Sequence, residues 1–329
     1  MKTTIHSIAE ILNVSPTTVS MALNGSPRVA EKTRIRVREF AAQCDFVPSE
    51  SARNLRLKKS SLVAVVVYDI SSNFWSGAVS AIEAALGDVY SVILCNSYGS
   101  LENEKRIIQT LRLRQIAGLI ITPASTEIDH LQQLNKQGTP VVLFERVKDH
   151  SLSFVKGDDV QSTIDTVEMC LKDGHRNIAL LTSKTQIVGI ADRMEAFNST
   201  VAQAGVADSC QTFVLENGGM QCITENFLPV AGRFSVVLCM EDEVAAALLS
   251  VLNYSGVRVP EDLSVISWNN SSYLDYLTPP LTSIRIPVRE MGTAAAKIVL
   301  AYHDGNRGTK QHLLQEEIVF RKSYKRLNS

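Results

Sequence analysis

The chain has 329 residues, 45% apolar and 20% charged, a balance that excludes wholesale disorder and gives enough chain for two or three domains with sizeable cores. Its longest purely apolar run, Leu62 to Tyr68, is seven residues, against the roughly 20 of a membrane-spanning helix, and its opening MKTTIHSIAE lacks the apolar stretch of a secretory signal. The net charge of −1 hides an uneven distribution: residues 1–60 hold ten Lys or Arg and five Asp or Glu, and the remainder 23 and 29, so a basic head on an acidic body points toward a polyanionic partner.

In chain order, the first 60 residues read as short helices. Thr4 caps a helix carrying Ile5, Ile8, Ala9, Ile11 and Leu12, and Asn13-Val14 breaks it. Ser15 is a good N-cap, and Pro16 suits the first helical position because its missing N–H costs nothing there. The second helix carries Val19, Ala22 and Leu23 and stops at Asn24-Gly25; a third runs from about Glu31 to Cys44. Two short helices joined by a tight turn, with a third behind, form a helix-turn-helix pattern. Pro48 and SESARNLRLKKSS follow, a stretch expected to be helical over 49–57 only when something holds it.

From Leu62 the pattern changes. LVAVVVYDI (62–70), VILCNS (92–97), GLIITP (118–123) and PVVLFE (140–145) alternate with amphipathic stretches. NIALLTS (177–183), TFVLE (212–216), SVVLCM (235–240) and LSVISWNN (263–270) repeat the design. Such runs between helices imply parallel strands buried on both faces, here in two doubly wound lobes. The cleft between the lobes is the default ligand site. The cysteines, Cys44, Cys95, Cys170, Cys210, Cys222 and Cys239, form no C-x-x-C pair and read as buried cytosolic thiols, not disulfides or a zinc site. His175, in DGHRN, reads as structural.

TIHSIAEILNVSPTTVSMALNG (4–25), VAEKTRIRV (29–37) and FVPSESARNLR (46–56) closely resemble the DNA-binding head of the lactose-repressor (LacI/GalR) family. The body resembles it too, in DISSNFW (69–75), GLIITPAS (118–125), DGHRNIALLT (173–182), ADRMEAF (191–197), VPEDLSVISWNN (259–270) and PPLTSIRIPVREMG (279–292). The resemblance implies an α/β protein: an all-α helix-turn-helix head and a periplasmic-binding-protein-like core of two doubly wound parallel-sheet lobes. The expected divisions are a head over 1–47 and a hinge helix or linker over 48–60. The N-terminal lobe is expected over 61–158 and 287–312, the C-terminal lobe over 159–286 and 313–329.

The resemblance also assigns roles. The helix from Ser15 to Asn24 enters the major groove, where each base pair shows a distinct donor and acceptor pattern. Pro16 and Thr17 fall at the positions that most often set sequence preference, with Ser20 and Met21 one turn on. Met21 stands where an arginine is common, so the operator differs from that of arginine-bearing relatives. Thr4, Ser7, Thr18, Asn24 and Arg34 are placed for phosphate contacts, which fix register; Ser15, at the start of the reading helix, is also counted among the DNA-binding residues, and Lys2, Arg28 and Lys32 add electrostatic affinity. In the hinge segment, Ala52 and Leu55 enter the minor groove with Leu55 as wedge, and Arg53 and Arg56 sit near phosphates.

In the body, Arg193 matches an arginine that clamps effector oxygens. Asn73, Phe74 and Trp75 line the cleft, Trp75 stacking on a sugar face and Phe74 serving either the cleft or the lobe core. Glu241 and Asn269 stand where Asn and Asp are usual, exchanging donor and acceptor character. Asp158 and Asp159 either accept effector hydroxyls or cap the next helix. The implied effector is a small polar molecule, a sugar before a sugar phosphate, nucleoside or nucleobase. The implied partner is a double-stranded operator, read as two half-sites by a homodimer. No membrane, cofactor, metal or catalytic residue is implied, and the location is cytoplasmic, with the nucleoid when bound to DNA. The sequence has no G-x-G-x-x-G, P-loop, H-E-x-x-H or G-x-S-x-G, which argues against an enzyme. A solute-binding module is opposed by the basic head. An activator of the same architecture is indistinguishable from a repressor by residues, and repression is the default as the family's commoner outcome.

Overall fold

The computed structural model describes residues 4–23, 25–46, 61–71, 74–183, 188–215 and 219–328. The chain divides into two compact units, residues 1–61 and 62–329.

The first unit holds helices α1 (Ile5–Leu12), α2 (Pro16–Leu23) and α3 (Glu31–Gln43). Thr4 and Ser7 start α1 as a reciprocal capping box: Ser7 N donates to Thr4 Oγ1 (3.1 Å) and Thr4 N donates to Ser7 Oγ (2.8 Å). Asn13 ends the helix in the left-handed region at φ 52°, which asparagine tolerates. Ile8, Ala9, Val19, Ala22, Val37 and Ala41 form the core where the three helices meet.

The second unit contains two six-stranded sheets. The first has strands β1 (Leu62–Val67), β2 (Ser91–Asn96), β3 (Gly118–Ile121), β4 (Val141–Phe144), β5 (Ser153–Gly157) and β11 (Gln311–Leu314), ordered β11-β5-β4-β3-β1-β2 and all parallel. Helices α4 (Phe74–Leu86) and α11 (Val288–His303) cover one face; α5 (Leu101–Leu113) and α6 (Asp129–Lys136) cover the other. Central strands β1, β3 and β4 are buried almost throughout, as a sheet covered on both faces requires.

The second sheet has β6 (Ile178–Thr182), β7 (Gln211–Val214), β8 (Val236–Cys239), β9 (Ser264–Trp268), β10 (Thr282–Arg285) and β12 (Glu317–Val319), ordered β12-β10-β9-β8-β6-β7, with only β12 antiparallel. Helices α7 (Asp159–Lys172) and α8 (Val188–Gln203) pack on one face, α9 (Met220–Asn226) and α10 (Asp242–Tyr254) on the other. The backbone passes between the sheets after β5, after β10 and after β11. Helices α4 and α11 meet so closely that a Cβ at Gly292 would stand 2.5 Å from the Ala78 carbonyl oxygen.

Three expectations need correction. The first lobe does not end at 312, because Gln311–Leu314 pairs along its full length with Phe154–Gly157; it runs through Leu314. Ile286, assigned to the second lobe, is buried in the core of the first. Only Cys170 and Cys239 are buried; the other four thiols are partly exposed, and all six are free. The expected hinge, 48–60, lies outside the described residues.

Candidate DNA-reading surface and effector cleft

In the head, Ser15 begins α2: Thr18 N donates to Ser15 Oγ (3.0 Å), and the two hydroxyls lie 2.8 Å apart. With Val19 and Ala22 buried, Pro16 and Thr17 stand exposed at the open end of the helix. Ser20 is half-buried one turn on, and Met21, also half-buried, packs against the head core. Arg34, expected at a phosphate, points inward: Nη1 donates to the carbonyls of Gly25 (3.3 Å) and Ser26 (3.5 Å), and the side chain pairs with Glu31. It holds the loop between α2 and α3. Arg28 and Lys32 are exposed. Asn24, Ala52, Leu55 and Arg56 lie outside the described residues.

In the body, a cavity of about 170 Å³ lies where the carboxyl ends of the two sheets face each other. The first lobe supplies Tyr68 and Asp69 after β1, Phe74 and Trp75 from α4, Thr122 after β3, and Glu145 and Arg146 after β4. The second supplies Gly189, Ile190 and Arg193 from α8, Met240 and Glu241 after β8, Glu243 from α10, and Asn269 after β9. Parallel strands end with their side chains and free backbone groups directed at such a crevice. Two lining residues lie in the left-handed region, Glu145 (φ 66°) and Asn269 (φ 99°), conformations that concentrate at ligand sites.

Arg193 is buried and held from behind. Its Nε (2.8 Å) and Nη2 (2.6 Å) both contact Asp159 Oδ1, and the guanidinium lies 5.4 Å from the Trp268 ring. Asp159 therefore orients the arginine. Asp158 does not line the cavity; it caps α7, accepting from Gln161 N at 3.2 Å.

Glu241 is 5% exposed. Its Oε1 accepts from Ser183 N (3.0 Å) and Ser183 Oγ (2.7 Å), while Oε2, shielded from solvent, meets no donor among the described residues. Asp242 next to it accepts from Ser271 N (2.7 Å), and burial pushes its carboxyl up to about 6.

A further carboxylate group gathers at the crossovers. Glu316, between β11 and β12, accepts at Oε2 from Ser162 Oγ (2.7 Å) and Trp268 Nε1 (3.3 Å), and its Oε1 has no donor among the described residues. Burial, opposed by Arg193 and reinforced by Asp159, holds it up to about 7. Glu145 takes a long 3.4 Å hydrogen bond from Gly157 N. Burial, with Asp159 and Glu316 adding repulsion, holds it up to about 8 against the pull of Arg193.

The structure thus brings Phe74, Trp75, Arg193, Glu241 and Asn269 to one cavity; Asn73 lies outside the described residues. The two aromatics exchange their expected emphasis. Trp75 is 7% exposed and belongs to the lobe core, its ring tilted 46° to that of Phe144 with centroids 5.5 Å apart, whereas Phe74 is the more accessible ring. Tyr68, Asp69, Thr122, Glu145, Arg146 and Glu243 were not anticipated. Arg146 lies 3.4 Å above the Tyr68 ring, and a Cβ at Gly99 would collide with Cζ of the same ring. His175 is fully buried between Ser235 Oγ (2.9 Å) and the Lys325 carbonyl (3.0 Å), a structural position.

A helix-turn-helix unit and a two-lobed core closing round a polar cavity define the class of ligand-responsive DNA-binding regulators. Residues 4–49 match the model of bacterial regulatory proteins of the lacI family, and residues 167–324 match a periplasmic binding protein-like domain. The chain is 30% identical to the transcriptional regulator GalR of Escherichia coli, covering 92% of this chain and 89% of that one. It is 28% identical to the transcriptional repressor PurR of Photobacterium profundum over 99% of both. The crystal structure of the lac repressor dimer bound to operator and the anti-inducer ONPF matches with a TM-score of 0.87 at 23% identity, over 98% of this chain and 99% of that one. The chain belongs to the lacI family: it is a transcriptional regulator with a periplasmic-binding-protein-like ligand-binding domain, and not an enzyme. Among the described residues no helix is long and apolar enough to cross a membrane.

Proposed function

We propose that this chain is a repressor that binds a pseudo-palindromic operator as a homodimer and answers to a small polar effector, a sugar before other classes, in the cleft between its lobes. The observation that carries the reading is the convergence of Arg193, Glu241 and Asn269 with the Phe74 ring on one cavity at the carboxyl ends of both sheets. Such a cavity spans two bodies, and a ligand bound to both biases their arrangement by its differential affinity for the open and closed forms.

In the head, Pro16, Thr17, Ser20 and Met21 read bases, and Thr4, Ser7, Ser15, Thr18 and Asn24 position the backbone. The exposure of Pro16 and Thr17 supports this. Met21, half held by the head core, offers apolar contact such as to a thymine methyl. Ala52 and Leu55 enter the minor groove and Arg56 sits near a phosphate, on the strength of their sequence register. Operator binding requires the cytoplasm and the nucleoid.

The test is selection from a random duplex pool with purified full-length protein at low salt, with and without sugars and purines. The expected product is a two-fold site with a deformable central step. Enrichment of a single undivided half-site would refute the dimer, and no enrichment under any ligand would refute the regulator.

A further inference from the structure

Among the described residues, the cavity is lined by more acidic than basic side chains. Asp69, Glu145, Glu241 and Glu243 line it against Arg146 and Arg193, and the charge of Arg193 is already matched by Asp159. Glu241 adds an independent observation: it is 95% removed from solvent, faces the cavity, and carries one oxygen with no donor among the described residues. A buried carboxylate oxygen left without a donor is costly, and a ligand that brings a donor removes that cost. Among the described residues, donors reach only Oε1, both from Ser183.

We propose that the effector carries a protonated primary amine, seated between Glu145 of the first lobe and Glu241 of the second, as in an amino sugar. The proposal rests on the reading of this cleft as the effector site. An ammonium group has three donors and a full charge, so it can satisfy a carboxylate on each wall at once. A hydroxyl has one donor and no charge. A phosphate would meet Asp69, Glu241 and Glu243 with like charge and gain no charge partner from Glu145. Burial holds the Glu145 carboxyl up at about 8, so it keeps its proton near neutral pH until a cation beside it restores the carboxylate. Because the two carboxylates belong to different lobes, the same group that satisfies them draws the lobes together.

The test uses full-length protein with glucose, galactose and mannose, each as the neutral sugar, the 2-amino sugar and the 6-phosphate. Binding is read by calorimetry and by the shift in melting temperature. An amino sugar is expected to bind at least about tenfold tighter than its neutral parent, with the phosphates weakest. Glu241→Gln keeps an acceptor for Ser183 and replaces the unsatisfied oxygen by a donor; it is expected to bring the amino sugar down to its parent's affinity. Glu145→Gln should do the same from the opposite wall. A neutral or phosphorylated sugar that binds as tightly as its amino counterpart overturns the amine while leaving the cleft reading in place. Silence across the panel overturns both. An amino-sugar preference that survives both substitutions overturns the assignment to these carboxylates.

Discussion

Replacing Glu316 by glutamine should flatten the pH dependence of the body's stability. The Glu316 carboxyl is 6% exposed and held up to about 7 from an ordinary value of 4.5. Between those values the unfolded chain has released a proton that the folded chain keeps. Stability contributed by the protonated form is therefore full below about pH 4.5 and is lost as pH rises toward 7. At about 1.4 kcal/mol per unit the loss is on the order of 3 kcal/mol, a large fraction of a stability of about 5–15 kcal/mol. Glutamine does not titrate, and its oxygen can still accept from Ser162 Oγ and Trp268 Nε1. The expected result is that Glu316→Gln gains about 3 kcal/mol on the parent between pH 4.5 and pH 8, with a residual slope from Glu145 and Asp242, which shift in the same direction. Urea denaturation at several pH values, followed by tryptophan fluorescence, measures this directly, since Trp268 donates to Glu316 and both tryptophans are buried. A variant that keeps the parent's slope would refute the account of Glu316 as a proton-retaining group.

Gly292→Ala should destabilise the body by about 1–3 kcal/mol, because the added methyl meets the Ala78 carbonyl and α4 and α11 must part; thermal denaturation checks this. Arg193→Ala should cost about 3–5 kcal/mol by leaving Asp159 buried without its partner, and Asp159→Asn in the same chain should recover part of that stability while leaving cleft binding lost in calorimetry. Ser15→Ala should weaken the head by about 1 kcal/mol through loss of the cap on Thr18 N, lowering the midpoint of its denaturation curve and weakening operator binding in a gel-shift titration.

The central strands were legible because full burial on two faces demands unbroken apolar runs, as in Val63–Val67 and Val236–Met240. Strand ends were not. The runs continue into Tyr68-Asp69 and Glu145, but pairing stops at Val67 and Phe144, where the chain turns into the cleft. Strands SFVKG, TSIR and QHLL escaped notice. They are short and half polar, and the last is an exposed edge whose place is set by a pairing over 150 residues distant in sequence. In the site, the family motifs led to Arg193 and Glu241. Tyr68, Asp69, Thr122, Glu145 and Arg146 could have been found by taking the first residues beyond each parallel strand, since that is where the cavity lies. Glu316 could not: its environment is made by Ser162 and Trp268, brought to it only by the last crossover.

The third passage between the sheets also bears on how the molecule is made. Strand β11 supplies the edge beyond β5, and β12 supplies the edge beyond β10, and both are translated after every other strand of either sheet. Neither lobe can finish its sheet on the ribosome ahead of the other. Until residues 311–319 emerge, both nascent sheets present an open edge with unpaired backbone groups, the kind of template on which chains associate wrongly. The nascent protein is thus exposed to misassembly late in synthesis, and closure of both edges comes within a span of nine residues.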